Sequence, residues 1–190
     1  SVLTLHPKDT GYKEKFKMIP EIEKASKEEI KAYQEKKLEE TLQYLNKNSP
    51  FYKRFFKENS IRLSEIKTLQ DLQKIPVTTK DQLQQFNNDF ICVPKTEIID
   101  YVTTSGTLGD PVTFALTDND LERLAYNEAI SFACCGVGKE DTMQLMTTMD
   151  RRFMAGLAYF LGARKLGSGI IRVGSGIPEL QWDSILKFKP

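Results

Sequence analysis

Histidine and cysteine are scarce in this sequence. The 190 residues include one histidine, His6, and three cysteines, Cys92 and the adjacent pair Cys134 and Cys135. A zinc site needs about four well-spaced ligands, so these residues are not expected to form one. An odd number of cysteines also argues against a disulfide framework. We expect Cys134 and Cys135 to be buried free thiols.

Long apolar runs and a charge imbalance are also missing. No apolar run approaches the roughly 20 residues that span a bilayer, and residues 1–15 lack the apolar core of a secretory signal. With 27 basic and 26 acidic residues the net charge is +1, so no whole-chain field attracts nucleic acid or a membrane. We expect a cytoplasmic protein that binds neither, and a homodimer is left open.

Glycine is almost absent from the first part of the chain. Residues 1–88 contain one glycine and are rich in lysine, glutamate and glutamine, whereas residues 89–190 contain the other ten glycines. This change of composition predicts a helical N-terminal region, residues 1–88, followed by an α/β region, residues 89–190.

Helix signals dominate the first region. Ser26, which precedes two glutamates, and Ser49, which precedes Pro50, each suit the start of a helix. An aromatic stripe follows Pro50 at helical spacing, and it predicts a buried face more strongly than it predicts stacking on nucleic acid. The stripe consists of Phe51, Tyr52, Phe55 and Phe56.

Strand and helix signals alternate in the second region. Thr117, with an aspartate three residues later, predicts the start of a helix between strands. The alternation predicts a mainly parallel sheet with right-handed crossovers. A sheet of so few strands leaves apolar edges, so we expect this sheet to be incomplete and the chain to be part of a longer protein. The predicted strands are residues 98–102, 112–116, 142–148 and 169–173, and the later helices are residues 151–167 and 178–188.

Hydroxyl side chains and glycines are concentrated in residues 103–111, "TTSGTLGDP", between the first two strands. A Walker loop needs a lysine and a helix directly behind it, and a dinucleotide fingerprint needs G-x-G-x-x-G, so both are excluded. Hydroxyl groups and freed backbone N–H groups can surround an anion without a helix. A hairpin turn and an anion-binding loop therefore both remain open.

Four segments resemble a known family. Residues 101–117 resemble the Thr-Ser-Gly-Thr-x-Gly-x-Pro signature of the adenylate-forming superfamily, which includes acyl-CoA synthetases, luciferases and adenylation domains. Residues 48–56, 68–85 and 163–176 are similar, in the right order, to the phenylacetate–CoA ligase branch of that superfamily. The resemblance covers most of residues 22–190 and implies the α/β fold of the family's large N-terminal domain.

The resemblance implies a two-step ligase reaction. A carboxylic acid, of an aryl or arylalkyl kind similar to phenylacetate, attacks the α-phosphate of ATP in the presence of Mg²⁺, and the thiol of coenzyme A then displaces AMP. Catalytic residues are expected beyond Pro190, so the chain alone is expected to be inactive. The implied phosphate-binding loop is Thr103, Thr104, Ser105, Gly106, Thr107 and Gly109. The acyl-pocket candidates are Asp150, Arg151, Met154 and Gly156.

Some features keep alternatives open. Many family members carry a lysine beside the loop proline, where this chain has Asp110 and Val112. An adenylating ligase with another acyl acceptor and a non-catalytic nucleotide-binding module therefore remain alternatives. Asp150 suits a salt-linked helix start with Arg152 equally well, and the glycines of residues 174–176 suit a strand-to-helix turn or a second anion loop.

Overall fold

The computed structural model describes residues 20–104 and 111–190. Within these ranges the chain forms six α-helices, four strands and five short 3₁₀ helices. Packing divides the chain into two compact units, residues 21–115 and, mainly, residues 116–190. The predicted α/β class is confirmed. The boundary predicted after residue 88 rests on composition and stays a prediction of domain organisation.

The elements follow one another along the chain in a mixed order. The α-helices are α1 (Lys27–Asn48), α2 (Pro50–Glu58), α3 (Lys80–Gln85), α4 (Asp118–Cys134), α5 (Met154–Leu166) and α6 (Pro178–Phe188). The strands are β1 (Ile98–Thr103), β2 (Thr113–Thr117), β3 (Thr142–Leu145) and β4 (Gly169–Arg172). The 3₁₀ helices are Glu21–Lys24, Leu63–Glu65, Leu69–Lys74, Asn87–Phe90 and Lys95–Glu97.

Hydrogen-bonded caps begin the helices at the predicted residues. Ser26 begins α1 and Thr117 begins α4, each in a capping box with the acidic residue three positions later. Ser49 begins α2, and its hydroxyl accepts a hydrogen bond of 3.2 Å from the backbone N–H of Tyr52. Such bonds satisfy backbone N–H groups that the first turn of a helix leaves open. The three predicted helix starts are confirmed.

The aromatic stripe of α2 forms the core of the first unit. Phe51, Phe55 and Phe56 are buried, and Tyr52 is partly buried. The Phe51 ring stacks on the Phe90 ring with centroids 4.0 Å apart. The predicted core packing of this stripe is confirmed, and the buried cluster is completed by Leu42 of α1 and Ile66.

The strands form two separate pairs among the described residues. β3 and β4 are parallel, with Thr142 opposite Gly169 and Leu145 opposite Arg172, as the crossover through α5 predicts. β1 pairs with β2 in a sheet of its own. β3 ends at Leu145 and not at residue 148, because its pairing with β4 ends at Leu145 and Arg172. In the described ranges no helix has both the length and the apolar character needed to cross a membrane.

The predicted burial of Cys134 and Cys135 is wrong, because both residues are exposed. Cys134 is the last residue of α4, and Cys135 caps the helix. The buried residues of this helix are Ala125 and Ala129, more than one turn earlier, so the end of the helix extends past its packed face. Cys92 is partly buried, and this burial raises the pKa of its thiol.

The aromatic core predicts a large effect of a truncation at its centre. We expect Phe51→Ala to lower the free energy of unfolding by about 3–5 kcal/mol, because it removes a buried ring and leaves a cavity. Val77→Ala is the control, since the Val77 side chain is 83% exposed, and its effect should stay within about 0.5 kcal/mol. Urea unfolding followed by circular dichroism measures both changes. Equal losses in the two variants would contradict the assignment of this core.

Candidate functional site

The ends of the hydroxyl- and glycine-rich loop are joined by two hydrogen bonds. The backbone N–H of Thr104 donates to the carbonyl oxygen of Val112 at 3.0 Å. The backbone N–H of Val112 donates to Oγ1 of Thr104, also at 3.0 Å. Val102 and Val112 are buried at 2% and 3% exposure, which fixes the two chain segments below the loop. The distance between Thr104 and Val112, the two ends of the loop, is therefore fixed by these contacts.

Only part of the predicted phosphate loop falls within the described residues. Thr103 is the last residue of β1, and Thr104 follows it with an exposed side chain. The Thr104 hydroxyl accepts a hydrogen bond from Val112 and keeps its own proton as a donor. Contact with phosphate stays a prediction for the whole loop. Ser105, Gly106, Thr107, Gly109 and Asp110 lie outside the described residues.

The predicted acyl-pocket residues lie in the other compact unit, Asp150 and Arg151 on the connection from β3 into α5, and Met154 and Gly156 in the first turn of α5. The Thr148 hydroxyl donates a hydrogen bond to the Asp150 carboxylate, and the Arg151 Nε lies 3.9 Å from Oδ1 of Asp150. The hydrogen bond, and after it the neighbouring guanidinium, hold the pKa of Asp150 below its usual value. Asp150 is therefore a carboxylate at neutral pH, and its side chain faces solvent.

Two consecutive arginines in this connection have a left-handed backbone. The φ angles of Arg151 and Arg152 are +57° and +61°. L-residues pay about 1–2 kcal/mol each for this conformation, and such strain is often found at functional sites. A left-handed residue cannot be part of an α-helix, so the alternative of a helix start at residues 150–152 is wrong. Helix α5 instead begins at Met154, after Phe153, whose side chain makes no capping hydrogen bond.

Helix α5 approaches its neighbours closely at two glycines. A Cβ atom at Gly156 would lie 1.9 Å from the carbonyl oxygen of Thr148. A Cβ atom at Gly162 would lie 2.3 Å from Cβ of Glu128 on α4. The first turn of α5 thus packs directly on the backbone that leads to Asp150. Gly156 is buried there, whereas Met154 is 39% exposed.

A cavity of about 130 Å³ lies among α4, β3, α5 and β4. Its lining is apolar or aromatic apart from Gln144, whose Nε2 donates to the carbonyl oxygen of Gln181 at 3.0 Å. The Oε1 atom of Gln144 is buried and has no hydrogen-bond partner within the described ranges. Sequence patterns did not predict this cavity, because periodicity shows which faces are apolar and not where they leave space. The lining residues are Phe132, Met143, Gln144, Leu145, Tyr159 and Ile170.

Two further candidate features of the site are a cluster of metal ligands and the glycine-bearing turn of residues 174–176. Within residues 20–104 and 111–190, no three or more His, Cys, Asp or Glu residues come together as a metal site. Gly174 and Gly176 have φ angles of +72° and +88° between β4 and α6. The Gly174 N–H donates to the carbonyl oxygen of Leu145, the last residue of β3, at 3.2 Å.

The close packing of Gly156 predicts intolerance of a methyl group. We expect Gly156→Ala to lower the free energy of unfolding by about 1–3 kcal/mol, because overpacking displaces the backbone of Thr148. Gly138→Ala is the control, since a Cβ atom there would meet only Oδ2 of Asp141, at 3.8 Å. Thermal denaturation of both variants measures the difference. A Gly156→Ala protein as stable as the control would refute the close approach.

The left-handed arginines predict a gain of stability on replacement. We expect Arg151→Gly and Arg152→Gly each to raise the free energy of unfolding by about 0.5–1 kcal/mol, because relief of strain exceeds the added entropy of the unfolded chain. Arg164→Gly, inside α5, is the control and should lower it by about 1 kcal/mol. Chemical denaturation measures all three. A loss of stability at residues 151 and 152 would mean that the two side chains make stabilising contacts.

Comparison with known proteins finds relatives along most of the chain. It is 32% identical over 170 residues to phenylacetate-coenzyme A ligase of Escherichia coli (strain K12), which covers 89% of this chain and 39% of that relative. It is 31% identical over 173 residues to the Thermus thermophilus phenylacetate-coenzyme A ligase, which covers 90% of this chain and 38% of that relative. The chain thus spans less than half the length of these curated relatives. No protein-family model matches it.

Solved structures of 2-hydroxyisobutyryl-CoA ligase share the fold. One, in complex with 2-HIB-AMP and CoA in the thioesterification state, is 26% identical with a TM-score of 0.75 and covers 85% of this chain and 36% of its own. Another, in the postadenylation state in complex with R3-HIB-AMP, is 25% identical with a TM-score of 0.79. It covers 96% of this chain and 39% of its own. The resemblance predicted from four sequence segments is confirmed: over about nine tenths of its length the chain is a homologue of phenylacetate–coenzyme A ligases, with the fold of adenylate-forming CoA ligases.

Proposed function

We propose that the whole protein is an ATP-dependent, AMP-forming acid–thiol ligase. It adenylates a carboxylic acid, of an aryl or arylalkyl kind, and transfers the acyl group to coenzyme A. The observation that carries the proposal is the 32% identity to a phenylacetate-coenzyme A ligase over 89% of the chain. Solved structures of a CoA ligase similar to this chain, in complex with an acyl adenylate and CoA, support coenzyme A as the acceptor.

The phosphate loop is proposed to stabilise the leaving pyrophosphate. Hydroxyl and backbone N–H donors of the loop would contact the β- and γ-phosphates of ATP, where negative charge develops during adenylation. The two hydrogen bonds between Thr104 and Val112 support this role, because they fix the separation of the two loop ends. The proposed donors and backbone contacts are Thr103, Thr104, Ser105, Gly106, Thr107 and Gly109.

Magnesium is proposed to bind mainly through the nucleotide. Mg²⁺ keeps several waters and binds substrate phosphates with about one or two carboxylates. When bound, the ion would neutralise phosphate charge, while the loop residues orient the triphosphate.

The cavity beside α5 is proposed to accommodate the organic part of the acid. An enclosed apolar cavity of about 150 Å³ admits benzene, and this cavity of about 130 Å³ is similar in volume and partly open, so a single aromatic ring is proposed to occupy it. Met154 and Gly156 lie at the start of α5, one of the helices that line the cavity. Asp150 and Arg151, which are not among the lining residues of the cavity, are proposed to contact the acid from the connection that precedes α5. A cytoplasmic location and a homodimer also remain parts of the proposal.

Loop substitutions test the proposal in the whole protein. We expect Ser105→Ala and Thr107→Ala each to slow adenylation by about 10²–10³-fold, because each removes one preorganised donor. Gly106→Val should block the approach of the loop backbone to phosphate. Thioester formation from supplied acyl-AMP should largely survive, since this half-reaction does not involve the β- and γ-phosphates. Exchange of labelled pyrophosphate into ATP, with phenylacetate as the acid, measures adenylation.

A matched substitution outside the loop provides the control. Ser131→Ala removes a hydroxyl that donates to the carbonyl oxygen of Asn127 on the exposed surface of α4, and it should leave both half-reactions unchanged. Equal damage to both half-reactions by the loop variants would indicate a structural turn. Adenylation of 2-hydroxyisobutyrate in preference to phenylacetate would contradict the proposal that the substrate is an aryl or arylalkyl acid. Exchange without thioester formation would favour another acyl acceptor.

A further inference from the structure

Two consecutive residues at the C-terminal end of α4 carry exposed thiols. Cys134 is the last residue of the helix, and Cys135 is its cap. The proposed ligase reaction uses neither residue. Thiols that are exposed to solvent can react with thiophilic reagents, whereas buried thiols are inert. The pair is therefore a cluster of accessible nucleophiles outside the proposed site.

The backbone at this helix end is held by three hydrogen bonds. The N–H groups of Cys135 and Val137 both donate to the carbonyl oxygen of Phe132, at 3.0 and 3.1 Å, and Gly136 donates to Ala133 at 3.1 Å. Gly136 has a φ of +88°, and a Cβ atom built there would meet nothing within 4 Å. Both thiols are thus carried by a hydrogen-bonded backbone and are exposed to solvent.

The ligands available at the pair restrict what it can bind. Soft thiolates prefer thiophilic centres over Mg²⁺ or Ca²⁺. A zinc site needs about four ligands, and the described part of the chain brings no three metal-binding side chains together. A direct disulfide is also disfavoured, because adjacent Cα atoms lie about 3.8 Å apart and disulfides usually need about 4.4–6.8 Å. A thiophilic atom that binds two thiols and bridges them needs no further protein ligand and no direct disulfide bond.

We propose that Cys134 and Cys135 form a dithiol site for trivalent arsenicals. In the reaction with phenylarsine oxide, two As–S bonds replace the arsenic–oxygen bond. The two thiol protons and the oxygen leave as one water, and arsenic remains trivalent. One organic group and two sulfur atoms complete the valences of arsenic, so no third protein ligand is needed. The site is independent of the proposed ligase function.

Mass spectrometry of the intact reduced protein tests the site. With one equivalent of phenylarsine oxide, the protein should gain one phenylarsenic group that resists excess monothiol and is removed by a dithiol. Cys134→Ser and Cys135→Ser should each lose the resistant adduct completely, because a single As–S bond exchanges with monothiol. Cys92→Ser, which changes the partly buried thiol, is the matched control and should keep the adduct.

Several outcomes would overturn the site. A resistant adduct in either Cys134→Ser or Cys135→Ser, or none in the unchanged protein, would do so. Circular dichroism of each serine variant should match that of the unchanged protein, since both side chains are exposed. Oxidised glutathione should give mixed disulfides on these thiols with release of reduced glutathione. A disulfide between Cys134 and Cys135 as the main product would refute the preference for a bridging centre.

Discussion

Helix α5 packs as it does because two of its positions carry no side chain. Gly156 lets the first turn of the helix lie against the Thr148 carbonyl, and Gly162 lets a later turn lie against Glu128 of α4. Protein interiors are packed closely, so even one methyl group at either glycine would have to displace backbone or neighbouring atoms. The connection from β3, the cavity between α4 and α5, and the crossover to β4 all depend on this placement. The candidate site of the second unit is thus a consequence of helix packing.

The same packing explains how strain persists in the connection before α5. Arg151 and Arg152 keep left-handed backbone angles although arginine has no intrinsic preference for them. The Thr148–Asp150 hydrogen bond precedes the strained pair and the buried Gly156 follows it, so the chain is held at both ends. Strain of this kind persists only where the surrounding structure determines the backbone. Two cationic side chains are thereby directed to the surface beside an ionised carboxylate.

Local hydrogen bonds explain which features the sequence could predict. The caps at Ser26, Ser49 and Thr117 involve partners three residues away, so a short stretch of sequence contains the whole interaction. Burial of Cys134 could not be judged in this way, because it depends on where α4 ends relative to its neighbours. The left-handed arginines depend likewise on the packing of α5. The cavity is even less local, since four elements contribute to its lining and no single pattern describes the space between them.

The hydrogen-bonded ends of the loop also account for one departure from the family pattern. Val112, one of the two positions where the family resemblance leads us to expect a lysine, is 3% exposed and pairs with Thr104 through both its N–H and its carbonyl. A lysine at such a buried position would lose hydration, which disfavours the charged ammonium. Residue 112 can therefore be a buried apolar residue or a charged lysine, but not both. In the proposed ligase, negative charge on the triphosphate would be met by Mg²⁺ and by neutral loop donors. Preorganised neutral dipoles stabilise developing charge effectively where water is excluded, so the missing lysine does not by itself remove the proposed role.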